Sequence, residues 1–314
     1  MRLLAVLAVV LSVAACGSAT PASAPPVPST AAPTSAAVPS AALPSTPAAP
    51  ACTATDWTCE QQQRFAAVDD YVRHVPGAHA YLSVVLTDRT TGATWRSGPT
   101  DHAGWTASTI KLAIATDLLA RDRAGQISLS QADRHDIDTM LNFSDERASD
   151  RLWKAYGDDA MLERFRTGFG MTSLRFVPGF TAKTYWGFVK CTTEDLDALV
   201  RHVLTRTDPA DRALLVAAMR GVAANQRWGV WASGAAQQPG NKDGWSFESD
   251  SYGKHWVTDT VGFAGPDERY ALAVMYQVDP SGSLADGVHA VSDVSALLFG
   301  APVPAPVEVP EPDG

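Results

Sequence analysis

Two kinds of hydrophobic periodicity alternate along this chain, and their order limits what it can fold into. Strand-like runs come early, over residues 81–86 and again just past a "TDRTTGA" turn. They return late, over 227–234, 255–265 and 269–278, where β-branched and aromatic residues are dense. Between the two groups the spacing is helical: from Ser108 to about Arg123, over 133–156, over 192–204 with Leu196, Leu199, Val200 and Val203 on one face, and through "PADRALLVAAMRGV". Thr193, ahead of an acidic first turn, is the expected cap of the 192–204 helix. A helix over 59–75, with Phe65, Val68, Tyr71 and Val72 in register, opens the series, and "SDVSALLFG" closes it. Short strands need partners, so the early and late strands are expected to meet in one antiparallel sheet. The expected fold class is therefore α+β: a sheet built from N- and C-terminal strands, plus an all-helical lobe.

The ends of the chain cannot contribute to that core. Met1-Arg2 leads an apolar run over 3–15 that stops at "VAAC", which reads as a secretory signal. The small residues before Cys16 resemble the bacterial lipoprotein signal, which implies cleavage before Cys16 and a diacylglycerol on its sulfur; the plainer alternative is a cleaved signal with an incidental cysteine. Over 17–51 the chain is almost only Ala, Pro, Ser and Thr, a composition that makes a tether and no core. The expected organisation is a signal over 1–15, a lipidated cysteine and linker over 16–55, one domain over 56–300, and a Pro-rich tail over 301–314. The implied place is the extracytoplasmic face of a membrane, held by the lipid.

The formal net charge of −9, with no basic stripe, argues against nucleic acid as a partner. Cys52 and Cys59 can bridge each other and leave Cys191 over; pairing of Cys59 with Cys191 is an equally legal connectivity. The seven histidines show no metal-binding spacing, and there is no G-x-S-x-G, P-loop or dinucleotide fingerprint, so neither metal nor cofactor is expected. A monomer is expected.

The stretch "TASTIKLAIATDLLAR" places Ser108 and Lys111 three residues apart at the head of an apolar helix, on one face. Burial favours a neutral amine, which can take a proton from a serine hydroxyl and make it a nucleophile. A capping serine and a snorkelling lysine would look the same. A second S-x-x-K, Ser251 and Lys254, holds Gly253 and reads as chance. Two further stretches add weight: "NFSDERASDRLW", with Ser144-Asp145-Glu146 at a helix start, and "NKDGWSF", with Lys242-Asp243-Gly244 just ahead of the late strands.

With these three motifs in this order, the chain resembles the penicillin-recognising serine enzymes, the class A β-lactamases and D-Ala-D-Ala peptidases, whose motifs are S-x-x-K, S-D-N and K-T-G. The resemblance implies Ser108 as the acylated nucleophile, Lys111 as its base or relay, Ser144 as a proton carrier to the leaving group, and Lys242 facing the same cavity. It implies an oxyanion hole from the N–H groups of Ser108 and Trp245, with each donor worth on the order of 3 kcal/mol of barrier. Gly244 would let its strand approach the substrate, and Trp245 would stand at a cleft edge, placed to stack on a sugar or apolar group. The substrate would be a small molecule or peptidoglycan-type compound.

Three departures limit the resemblance. Glu146 stands where the family has an amide; it can pair with Lys111 and hold the lysine charged, or act as a base itself. Asp243 replaces a threonine that helps bind a carboxylate, and a charge there would repel anionic substrates by roughly 1–4 kcal/mol. The stretch 176–193 holds no acid, where class A enzymes carry the glutamate that activates the deacylating water. Efficient β-lactam hydrolysis is not expected. Two readings remain: a serine hydrolase of altered preference working through an acyl-enzyme, and a fold relative without catalysis that binds wall material or a partner protein.

Overall fold

The computed structural model describes Cys52 and residues 55–312. The signal over 1–15, Cys16 and most of the linker over 16–55 lie outside the described residues. Thr58 opens the first helix, α1 (Cys59–Arg73), with a capping box shared with Gln61 that satisfies otherwise orphaned N–H groups. The hairpin follows as β1 (Tyr81–Asp88) and β2 (Thr94–Ser97), then the short β3 (Gly104–Trp105). The helical lobe comprises α2 (Ile110–Arg123), α3 (Gln131–Asn142), α4 (Glu146–Tyr156), α5 (Met161–Phe169), α6 (Thr193–Thr205) and α7 (Pro209–Arg220). Between α5 and α6, β4 (Arg175–Phe176) and β5 (Val189–Cys191) pair with β3 in a small sheet, in the order β3-β5-β4. The chain then supplies β6 (Gly240–Asp250), β7 (Gly253–Ala264), β8 (Tyr270–Gln277) and α8 (Leu284–Phe299).

The main sheet runs β2-β1-β8-β7-β6, antiparallel throughout, so N- and C-terminal strands do share one sheet. The β1–β8 register sets Val84 opposite Val274 and Leu82 opposite Tyr276. Alternation along the strands divides the core in two. Leu82, Val84, Leu272 and Val274 pack with Phe65 and Val68 of α1 and Val288 and Val291 of α8. Ala271, Ala273, Met275 and Val261 face the helical lobe, where Leu112, Ile114 and Leu118 of α2 are fully buried. Every residue of α2 from Ile110 to Leu119 is buried, which makes it the central helix of the lobe.

The helical pattern over 133–156 is two helices, the second starting just past Ser144 where a helix start was expected; Ser144 itself has a φ of 58°, which no helix accommodates. Three local readings change. Thr192, not Thr193, caps α6, its hydroxyl accepting the Asp195 N–H. The run over 227–234 is not a strand. It forms a 3₁₀ turn, Gly229–Ser233, between two glycines at φ 56° and 96°. A Cβ on Gly229 would also lie 2.3 Å from Thr260 Oγ1. The third late strand is instead β6, which carries Lys242-Asp243-Gly244 inside it rather than ahead of it.

Cys52 is bonded to Cys59, and Cys191 is a free buried thiol whose pKa burial pushes well up. The Pro-rich segment after Gly300 is not separate from the domain. Ala305 and Pro310 are buried, Val307 and Val309 pack on the α1/α8 layer, and the Ala305 N–H donates to Asp293 Oδ1 at 2.7 Å.

Candidate active site

Ser108 sits in a tight 3₁₀ turn, Ala107–Thr109, that runs straight into α2. The turn is fixed from behind: the Thr106 N–H donates to Val189 O at 3.1 Å, and Thr109 Oγ1 donates to Thr106 O at 2.5 Å. Ala107 is held at φ 41°, a left-handed conformation that costs a non-glycine residue roughly 1–2 kcal/mol. Gly244 explains how β6 reaches this turn. A Cβ there would lie 2.6 Å from Ser108 N and 2.8 Å from Thr109 N, so a side chain would collide with main chain. The glycine thus lets β6 pack directly on the Ser108 turn.

Lys111, in the first turn of α2, has no exposed surface. Its Nζ donates to Ser144 O at 2.6 Å, Ser144 Oγ at 3.2 Å and Glu146 Oε1 at 2.7 Å, and lies 4.8 Å from the centre of the Trp186 ring. Three acceptors match the three donors of an ammonium; Ser108 Oγ is not among them. Burial nevertheless holds the Lys111 pKa below its ordinary value, against the attraction of Glu146.

Ser144 occupies the α3–α4 break. Asp145 caps α4 by accepting the Ala148 N–H at 2.6 Å, which leaves the Ser144 hydroxyl free to face the lysines. Lys242, 1 % exposed, reaches it from β6: Nζ donates to Ser144 Oγ at 2.9 Å and to Asp243 O at 2.7 Å. One hydroxyl therefore lies between two buried amines. Burial first, and the neighbouring Lys111 charge second, drive the Lys242 pKa well down.

Glu146 does pair with Lys111, and its other oxygen accepts Tyr185 Oη at 2.9 Å. The carboxylate side chain remains 53 % exposed. Burial and the Glu146 charge push the Tyr185 pKa far up, so the phenol stays a donor. Tyr185 and Trp186 come from the acid-free stretch 176–193, so aromatic side chains from that loop flank Lys111 and Glu146.

Asp243 does not face the cavity. It is fully buried beneath the Gly229–Ser233 turn, with Oδ1 accepting Thr260 Oγ1 at 2.6 Å, because alternation along β6 sends it to the opposite face from Lys242. Burial pushes its pKa up to about 7, against the Thr260 hydrogen bond. Its expected place in substrate binding, and the repulsion of anions from it, are thereby corrected.

A cavity of about 610 Å³ opens over these groups, lined by Ser108, Ser144 and Glu146, with Phe143 and Trp245 beside them. Phe143, 60 % exposed, and the exposed Arg147, whose side chain has no hydrogen bond or ion pair among the described residues, also line it; neither was singled out by a motif. Phe143 directly precedes Ser144, which was the available signal. A second cavity of about 590 Å³ lies between α1 and α8 and holds none of the motif residues.

No family model matches the chain. It is 30% identical over 207 residues to the proteins named "Putative lipoprotein LppW" in Mycobacterium tuberculosis and in Mycobacterium bovis, a match spanning 62% of this chain and 62% of theirs. Among solved structures it is similar to a β-lactamase from Xanthomonas campestris (TM-score 0.59, 20% identity, 76% of this chain and 96% of that one). A β-lactamase from Burkholderia vietnamiensis gives TM-score 0.59 at 20% identity, covering 77% and 96%. An ancestral (GNCA) class A β-lactamase gives 0.58 at 18%, covering 76% and 99%. The sheet order, the central α2 and the convergence of the three motifs agree with that likeness: the chain has the class A β-lactamase fold, that of the penicillin-recognising serine hydrolases.

Proposed function

We propose that this protein is an exported, lipid-anchored serine hydrolase that cleaves an amide or ester through an acyl-enzyme on the cell-wall side of the membrane, and that it is not an efficient β-lactamase. One observation carries the reading: Ser108, Lys111, Ser144 and Lys242 come from three distant segments, and both amines meet one hydroxyl beside Ser108. The lipoprotein name of the mycobacterial relatives supports the anchor at Cys16.

In this reading Lys111 gives its proton to Glu146, at 2.7 Å, and the freed amine takes the Ser108 proton as Oγ attacks the carbonyl carbon. The N–H groups of Ser108 and Trp245 receive the oxyanion. Ser144 passes its proton to the leaving group and is refilled from Lys242, 2.9 Å away. Glu146, half-exposed in the same cavity, then releases to solvent the proton it took from Lys111, while Lys242 regains one. The restored carboxylate serves as the base for the water that hydrolyses the ester, in place of the acid missing from the 176–193 loop. Lys111 returns the proton to Ser108 Oγ as the ester breaks and is recharged from Glu146.

The second reading, a non-catalytic binding protein of this fold, is favoured by one feature: all three Lys111 donors are engaged away from Ser108. Intact mass after exposure to a fluorophosphonate and to a panel of β-lactams separates the two. A hydrolase gains one adduct on Ser108, at a rate that falls by about 10²-fold or more in Lys111→Ala. Inertness to both reagent classes favours the binding protein.

A further inference from the structure

The segment that follows α8 returns to the site. Pro312 lines the same cavity as Ser108, and the indole N–H of Trp245 donates to Glu311 O at 3.2 Å. Trp245 is the neighbour of Gly244 on β6, so this bond ties the segment to the strand that carries Lys242 and abuts the Ser108 turn.

We propose that residues 301–312 form a strap across the mouth of the Ser108 cavity, and that release of its last two residues, Glu311 and Pro312, admits substrates larger than the narrowed mouth. As regulation of acyl transfer this rests on the function proposed above; as a barrier in front of Ser108 it does not.

The anchoring is graded along the strap. Its root is firm: Ala305 is 2 % exposed, and its N–H donates to Asp293 Oδ1, whose other oxygen accepts Tyr71 Oη at 3.2 Å. Val307 and Val309 then pack on the α1/α8 layer, and Pro310 is buried. Beyond that point Glu311 and Pro312 are exposed, and the indole bond is the hydrogen bond that holds them. Prolines at 302, 304, 306, 310 and 312 remove N–H donors, so the strap cannot continue the sheet along the free edge of β6. They also leave less backbone freedom to lose on docking. The outcome is an ordered segment, held firmly at its root and lightly at the mouth, which is the pattern of an element that opens locally without unfolding the domain.

The test reads access rather than catalysis. Ser108→Cys is made in the full chain, alone and with a stop after Val309, and thiol labelling is timed with methyl methanethiosulfonate and with a maleimide carrying a long polyethylene glycol chain. The parent with Ser108 intact gives the background from other cysteines. If the mouth is open only a minor part of the time, removing 310–314 speeds the bulky reagent by about fivefold or more and the small one by less than about twofold. Trp245→Phe in the untruncated chain, which keeps a ring and loses the N–H donor, shifts the bulky reagent in the same direction and guards against a truncation that fails to fold. Equal bulky-reagent rates across all three proteins overturn the strap. Fluorophosphonate labelling of the Ser108 forms runs in parallel: its absence with and without the truncation defeats the hydrolase reading while the thiol rates still decide the strap.

Discussion

Glu146 joins Lys111 and Tyr185 through its two oxygens, and this places one carboxylate between a buried amine and a phenol that stays protonated. Replacing it with glutamine keeps the shape and removes the proton acceptor. Glu146→Gln is expected to form the Ser108 adduct with an ester probe more slowly, since Glu146 also receives the Lys111 proton, and to slow its loss by about 10²–10⁴-fold, the usual size of a general-base contribution. Timed intact masses decide it, and an adduct that clears at the parental rate rules Glu146 out as the base. Asp243 makes a separate prediction, about stability. Its folded pKa of about 7 lies above the ordinary 3.8, so the folded state holds the extra proton. The stability this contributes is full below about pH 4 and is lost as pH rises towards 7. Asp243→Asn, neutral at every pH and still able to accept from Thr260, should match the parent at pH 4 and exceed it by about 2–4 kcal/mol at pH 8. Urea midpoints at the two pH values measure it; a pH-independent difference means that the carboxyl does not titrate on its own in the fold.

β6 is the element that assembles the site, because its alternation sends Lys242 to Ser144, Asp243 beneath the 229–233 turn, and the bare face of Gly244 onto Ser108 N. Gly244→Ala has no room to adjust, since the two nearest atoms its Cβ would meet, Ser108 N and Thr109 N, are main chain on a turn already held at an unusual φ. It is expected to destabilise by about 1–3 kcal/mol, the range of an overpacked core, and to abolish fluorophosphonate labelling. Denaturant melts and labelling of the same preparation check both; full labelling would show that β6 can withdraw without cost to the site. This strand was also the hardest to read. "GNKDGWSFESD" shows lysine, aspartate and glycine where a strand pattern wants apolar residues, because Lys242 reaches Ser144, Asp243 is paired with Thr260 and Gly244 lies against the Ser108 turn. "RWGVWASG" shows the reverse: its apolar residues suit a strand, but Gly229 at φ 56° beside Thr260 bends them into a turn. The motif order nevertheless picked out Ser108, Lys111, Ser144 and Lys242, which the folded chain brings together around one cavity. Tyr185, Trp186 and the strap were out of reach, because nothing local marks an aromatic or a proline that meets the site only through the folded chain.

At the scale of the described domain, β8 is central to the sheet, and its two faces feed two different packed layers. Leu272 and Val274 belong to the α1/α8 side, and Ala273 and Met275 to the helical lobe. The site crosses this division: Ser108, Lys111 and Ser144 are carried by the 107–109 turn, α2 and the α3–α4 break, while Lys242 comes from the sheet. A lobe that opened independently of the sheet would separate Ser144 from Lys242, so the two layers are expected to unfold as one unit. Leu112→Ala in α2 and Leu272→Ala in β8 each remove a fully buried side chain, and each should cost about 2–5 kcal/mol. If the domain is one cooperative unit, each substitution lowers the same single transition, with far-ultraviolet circular dichroism and tryptophan fluorescence melting together. If Leu112→Ala instead splits the transition, with Ser108 labelling lost in the first step and the sheet persisting to the second, then the helical lobe is a separate folding unit, and the contact between Ser144 and Lys242 joins two bodies rather than two faces of one.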